Sequence, residues 1–184
     1  MAVPTVTPPV GGAGAPAGVS SAAMIAAVAI VAAAGALRLW NIGSGIPYAV
    51  GPDEPQVMYR VALMMKTGDL NPHFFDWPTL TFYMNLVVAC VTFLLGSMRG
   101  LWSHLDQVGA PELYLTGRQF TALLGTATVG LTFAAGRRWG TGVALVAAVL
   151  MAVIPNNVRE SHYVLTDVPT AFFTTLTLLL SLRA

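Results

Sequence analysis

Five long apolar segments limit the folds open to this chain more than any other feature. Each approaches the length of about 20 residues that a helix needs to cross a bilayer. The chain is 55% hydrophobic and only 9% charged, so lipid rather than water is its expected surroundings. The sequence therefore predicts an all-α, polytopic membrane protein, with its apolar helices at 20–39, 79–98, 117–136, 141–158 and 167–183.

Composition also excludes several classes of protein. A net charge of +1 and the lack of a basic run exclude nucleic acid as a partner. Cys90 is the only cysteine, which excludes an internal disulfide and a cysteine-based metal site. Residues 1–19 are uncharged and rich in Pro, Gly and Ala, which predicts a disordered tail. The segment at 20–39 lacks a preceding basic region and is predicted to be a retained anchor helix.

A long loop at 40–116 separates the first and third apolar segments, and it contains a second kind of helix. Apolar residues recur at helical spacing over 54–66, with polar residues between them. Asp53 is a suitable N-cap and Gly68 a suitable end. This pattern predicts an amphipathic helix on the membrane surface.

The arginine pair Arg137-Arg138 bears on the topology. If all five segments span with the N-terminus inside, this pair lies outside, against the positive-inside tendency, and Asp53 and Asp167 face opposite sides. If 79–98 is embedded without crossing, the pair lies inside and both acids face outward. The prediction is therefore four spanning helices plus two membrane-surface helices at 54–66 and 79–98. Five spanning helices are the alternative.

Three acids lie beside apolar segments, where carboxylates are costly and usually functional. Asp53 and Glu54 follow the first segment by a short loop, and Asp167 begins the last. All three are predicted catalytic residues, because a carboxylate at an interface can act as a general base. They are also the candidate oxygen ligands of a divalent cation. Helix capping and compensation of the helix dipole are the simpler alternatives.

Four basic residues are candidates for binding an anionic group such as phosphate, or the substrate. Arg118 is placed at the start of a helix, where a cation opposes the dipole unless it binds an anion. A snorkelling arginine is its alternative role. His162 is a candidate ligand or proton shuttle, or simply an interfacial residue. His73 and Arg159 complete the set.

The order of these motifs resembles the N-terminal module of GT-C-type membrane glycosyltransferases, over about residues 24–184. The most similar branch comprises the protein O-mannosyltransferases and the bacterial aminoarabinose transferases. The motifs that carry the resemblance are Pro52-Asp53-Glu54, Asn71-Pro72-His73-Phe74-Phe75-Asp76-Trp77-Pro78, Gly117-Arg118, Gly136-Arg137-Arg138, Ser161-His162-Tyr163 and Thr166-Asp167-Val168-Pro169.

The resemblance implies an inverting hexosyl or pentosyl transfer from a polyprenyl-phosphate donor. The acceptor would be a protein, lipid or glycan on the extracytoplasmic face of a bacterial plasma membrane. By resemblance, Asp53 matches the catalytic base or acceptor-orienting acid, Glu54 its partner, Asp167 the acid of the second outer loop, and Arg118 an arginine that opens a helix. Trp77-Pro78 departs from the aminoarabinose transferases, which have a lysine before this proline.

Three further expectations complete the sequence-based interpretation. No cofactor is expected beyond a divalent cation. Because the chain ends at 184, directly after an apolar segment, it is expected to be truncated and inactive alone. The alternative functions are a fragment of a cation- or proton-coupled transporter, whose acids would lie within helices, and a non-catalytic membrane scaffold.

Overall fold

The computed structural model describes residues 19–48, 51 and 53–184, and these residues form helices and no strand. The prediction of an all-α fold is confirmed. All but the last residue of the tail predicted at 1–19 lie outside the described residues. The helices are α1 (Ser21–Leu39), α2 (Glu54–Thr67), α3 (Leu80–Met98), α4 (Ala110–Gly136), α5 (Thr141–Val153), α6 (Pro155–Glu160) and α7 (Asp167–Ser181).

Helix α4 is the centre of the structure, since α1, α3, α5 and α7 all pack against it. Its 27 residues make it about 40 Å long at 1.5 Å per residue, enough to cross a bilayer core of about 30 Å. Small residues allow the close contacts: a Cβ on Gly136 would lie 2.8 Å from the Cα of Ala144 in α5. An inner core results, and it consists of Ala27, Ala34, Val129, Phe133, Ala144, Ala148 and Ala152.

An outer core lies around α2. This helix begins after Asp53 with a proline in its first turn, and it ends at Gly68, whose φ of 75° is the left-handed conformation that glycine favours. Its apolar side is buried in protein, against α3 and the first turns of α4. The outer core comprises Val57, Met58, Val61, Met64, Met65, Phe82, Ala89, Val108, Leu113 and Val164.

Among the described residues, two helices are long and apolar enough to cross a membrane, α1 and α3. The apolar helices α5 and α7 are shorter, at 13 and 15 residues. The segment predicted at 141–158 forms two helices, α5 and α6, which meet at Ile154. The reason is Pro155, which has no backbone N–H to continue α5 and which starts α6 instead.

Candidate functional site

The carboxylate of Glu54 is completely buried and is held by three hydrogen bonds. Arg118 donates two of them in a bidentate pair, from Nε to Oε1 at 2.8 Å and from Nη2 to Oε2 at 2.6 Å. The backbone N–H of Val164 donates the third to Oε1, at 3.1 Å. One side chain therefore joins the start of α2, the first half of α4 and the segment that precedes α7.

Arg118 is also buried and extends the same junction to the turn that follows α1. Its Nη1 donates to the carbonyl oxygens of Ile42, at 3.2 Å, and Ser44, at 2.8 Å. Its guanidinium also lies 5.6 Å from the ring centre of Tyr163, within the range of a cation–π interaction. The sequence analysis placed Arg118 at a helix start, which is wrong, because α4 begins at Ala110 and Arg118 lies in its third turn. The dipole argument for an anion at this arginine no longer applies.

Asp53 differs from its neighbour Glu54, because its side chain is exposed. It occupies the N-cap position of α2, yet its carboxylate makes no capping hydrogen bond. The preceding backbone is packed closely, since a Cβ on Gly51 would lie 2.9 Å from Cδ1 of Tyr163. Among the described residues, the Asp53 carboxylate therefore caps no backbone N–H, while Gly51 and Glu54 on either side of it are packed against the protein.

Asp167 lies at the same end of the helices as Asp53. It is the first residue of α7, and its side chain is exposed on the surface of the protein. Val164, three residues earlier, donates its N–H to Glu54, which directly follows Asp53. The Glu54–Val164 hydrogen bond therefore draws together the two segments that carry the exposed acids.

A cleft of about 310 Å³ opens beside this junction. One wall is the turn that follows α1, and the other is the end of α6 with the residues after it. Of the predicted site residues, Arg118, Arg159 and His162 line the cleft. The predicted catalytic acids Asp53, Glu54 and Asp167 do not line it, and neither does His73. The lining residues are Trp40, Asn41, Ile42, Ser44, Arg118, Arg159, His162 and Tyr163.

The ring of His162 is fixed between the two walls. Nδ1 lies 2.8 Å from the carbonyl oxygen of Val158, and Nε2 lies 3.1 Å from that of Trp40. A neutral imidazole has one N–H and can donate to only one of these oxygens, whereas the imidazolium donates to both. Through Nε2 the ring therefore links the wall that carries it to the turn that follows α1.

Arg159 and His73 each form hydrogen bonds with side chains that are close to them in the sequence. Arg159 is exposed and donates to the carboxylate of Glu160 and to Oδ1 of Asn156, the latter at 3.1 Å. His73 lies in the loop between α2 and α3, with Nε2 2.9 Å from Oδ2 of Asp69. This hydrogen bond is the main cause that holds the pKa of the exposed Asp69 carboxyl below its ordinary value. Within the part of the chain that the structure describes, no three His, Cys, Asp or Glu side chains form a group that could hold a metal ion.

Sequence reasoning missed Arg38, which is completely buried in the last turn of α1. Its guanidinium donates to the carbonyl oxygens of Ala34, Met151 and Ala152, each at 3.1 Å, and to Oδ1 of Asn157 at 2.8 Å. The signal was present, because a charged residue inside an apolar segment is costly unless it is paired. Its position two residues before Trp40 made it resemble an ordinary interfacial arginine.

Apolar helices around a central α4, with a polar cleft and buried charges at one end, are typical of a helical membrane protein. The profile of the family described as dolichyl-phosphate-mannose-protein mannosyltransferase matches residues 81–184, more than half of the chain. The chain belongs to this family, which confirms the GT-C-type resemblance predicted from the sequence. No curated protein and no solved structure gives a significant match.

Membership supports a mannosyltransferase-like glycosyl transfer at the level of the family, whose members are integral membrane proteins. In general the family uses a polyprenyl-phosphate-linked sugar and a protein acceptor. The matched range covers Arg118, Arg159, His162 and Asp167 but not the acidic pair at 53 and 54, which precedes it.

Proposed function

We propose that this protein transfers a sugar, with mannose the leading candidate, from a polyprenyl-phosphate donor to a hydroxyl acceptor on the extracytoplasmic face. Asp53 is the general base. The observation that carries this assignment is the contrast within the acidic pair: Glu54 is buried and held by Arg118, while Asp53 is exposed. The buried member fixes the backbone, and the exposed member is left free to accept a proton.

The reaction proposed is a single displacement. The acceptor hydroxyl oxygen attacks the anomeric carbon of the sugar as its proton passes to the carboxylate of Asp53. The bond from the anomeric carbon to the phosphate oxygen breaks, and the polyprenyl phosphate leaves with its electron pair. Configuration at the anomeric carbon is inverted. Positive groups near the departing phosphate would stabilise the developing charge.

For the phosphate we assign Arg159 and His162, which line the cleft. Arg118 forms part of the cleft wall but is not assigned to the phosphate, because its charge is paired with Glu54 and four of its hydrogen bonds go to protein atoms. Asp167 is proposed to orient the acceptor, from the segment that Val164 ties to Glu54. His73 is not assigned to the substrate, and its proposed role is to order the loop between α2 and α3 through Asp69.

We further propose that α3 lies embedded on the outer side without crossing. Its contacts support this placement: Phe82 and Ala89 belong to the outer core around α2, and Gly96 packs directly on the ring of Trp102. Asn85 in α3 approaches α4 at Gly117, in the N-terminal third of that helix, which is the end where α2 also packs. The arrangement leaves four spanning segments, in α1, α4, α5 with α6, and α7.

The test is Asp53→Asn in the intact protein, assayed in native membranes with polyprenyl-phosphate mannose and a peptide that offers hydroxyl side chains. Loss of a general base should lower kcat/KM by about 10²- to 10⁴-fold. Asp76→Asn is the matched control, since Asp76 is an exposed acid of the same outer loop. Transfer by Asp53→Asn at the control rate would refute the assignment of Asp53.

A further inference from the structure

Arg38 is a buried cation that is surrounded by neutral acceptors. Its exposed fraction is 0%, and among the described residues no carboxylate lies within 4.0 Å of its guanidinium. Burying a charge without a counter-ion is costly, so the four hydrogen bonds that it makes must compensate. An arginine that is kept buried at this cost is expected to hold particular parts of the structure together.

The first task of Arg38 is to complete the end of α5. The carbonyl oxygen of Met151 would normally accept a hydrogen bond from the residue four positions later, but that residue is Pro155, which has no N–H. Arg38 donates to this oxygen through Nη2 and to that of Ala152 through Nη1. Its positive charge also suits the negative end of the α5 dipole.

The second task joins α1 to α6. Nη2 of Arg38 donates to Oδ1 of Asn157, at 2.8 Å, and the backbone oxygen of Asn157 accepts from Oγ of Ser161, at 2.6 Å. Gly125 in α4 leaves the room for this arrangement. A Cβ there would lie 2.5 Å from Oγ of Ser161 and 3.0 Å from Nε of Arg38.

These contacts bear directly on the cleft. Arg38 precedes the wall that begins at Trp40, and Asn157 precedes the wall that begins at Arg159. A second link across the same gap runs from Nε2 of His162 to the carbonyl oxygen of Trp40. The two walls are thus held together at their bases by Arg38 and at their rims by His162.

We propose that Arg38 is a positioning residue, which sets the separation of the two cleft walls and thereby the fit of the lipid-linked donor. This inference rests on the proposed function for its kinetic consequence, but its geometric part does not. Arg38 touches no substrate in this proposal. It acts through Asn157 and the end of α5, on the wall that carries Arg159 and His162.

The geometric test is cross-linking in the intact protein, with Cys90→Ser as the background. Trp40→Cys and His162→Cys place one thiol on each wall, and a short bifunctional thiol reagent reports their separation. The His162 link is absent in this background, so the wall separation depends on Arg38. Adding Arg38→Met should lower the cross-linking rate at least about threefold, and Arg38→Lys should restore part of it. An unchanged rate would overturn the proposal.

The kinetic test uses the single variants without added thiols. Arg38→Met should raise KM for the donor about tenfold while kcat stays within about twofold, because Asp53 is untouched. Arg60→Met is the matched control, since Arg60 lies on α2 over the ring of Phe74, away from the cleft walls. A fall in kcat with unchanged KM would overturn the proposal.

Asn157→Ala keeps the test decisive should Arg38→Met fail to fold. It removes only the link to α6 and leaves the bonds to Met151 and Ala152 in place. The same rise in KM and the same slower cross-linking are expected, in a smaller degree. Wild-type values for both would refute the role of Arg38. Because cross-linking requires no sugar transfer, its outcome stands apart from that of the proposed function.

Discussion

The bidentate pair between Glu54 and Arg118 makes a quantitative prediction about stability. In Arg118→Met, the carboxylate of Glu54 loses its two shortest hydrogen bonds and keeps only that from Val164. Its exposed fraction is 0%, so water cannot replace the lost donors without rearrangement. Removing one partner of a buried pair costs about 3–5 kcal/mol, and we expect a loss of this size in the free energy of unfolding.

Glu54→Gln should be milder. The amide oxygen can still accept from Val164, and Arg118 keeps its bonds to the carbonyl oxygens of Ile42 and Ser44. Loss of the charge-assisted bonds should cost about 2–3 kcal/mol. In the double variant neither charge remains, so its loss should be smaller than the sum of the two single losses by about 2 kcal/mol or more.

The assay is reversible unfolding of the purified protein in mixed micelles, with the denaturing detergent SDS titrated and the folded fraction followed by tryptophan fluorescence. Wild type, both single variants and the double variant are compared under identical conditions. If the losses of the single variants add to that of the double within about 0.5 kcal/mol, Glu54 and Arg118 act independently. The junction inferred from their geometry would then be wrong.

Two other predictions concern packing and topology. Gly125→Ala should lower the free energy of unfolding by about 1–3 kcal/mol, because the added Cβ would lie 2.5 Å from a side-chain oxygen. Gly130→Ala on the same helix is the control, since its Cβ would have its nearest neighbour at 4.0 Å. In the same SDS titration this variant should be neutral or stabilising. With Cys90 replaced by serine, Asp53→Cys and Asp167→Cys should both react with a membrane-impermeant maleimide from outside intact cells. Labelling from opposite faces would instead exclude a shared site and favour five spanning helices.

The helices of this protein could be predicted from sequence because their signals are local. Hydropathy located the apolar helices, and the spacing of apolar residues with Gly68 located α2 and its end. Pro155 carried the signal for the break between α5 and α6, but the apolar composition of the surrounding segment outweighed it. The order of short motifs was enough to indicate the family, although Gly117-Arg118 lies within α4 and not at its end.

The site itself could be predicted only as a set of residues. Asp53, Arg118 and His162 were identified because acids, arginines and histidines beside apolar segments are uncommon. The pairing of Arg118 with Glu54 could not be predicted, because the two residues are 64 positions apart and local sequence patterns do not show which distant residues meet. Arg38 was missed because its position near Trp40 resembles that of an interfacial arginine, and its partners in α5 and α6 are more than 110 residues away.

The three-way junction at Glu54 has a consequence for biosynthesis. This carboxylate emerges from the ribosome 64 residues before the arginine that neutralises it and 110 residues before the backbone N–H that completes its bonding. Until α4 and the segment before α7 have been made, an acid that is later buried stays in contact with water or headgroups. The start of α2 can therefore reach its final packing only after α4 and the segment before α7 have been made.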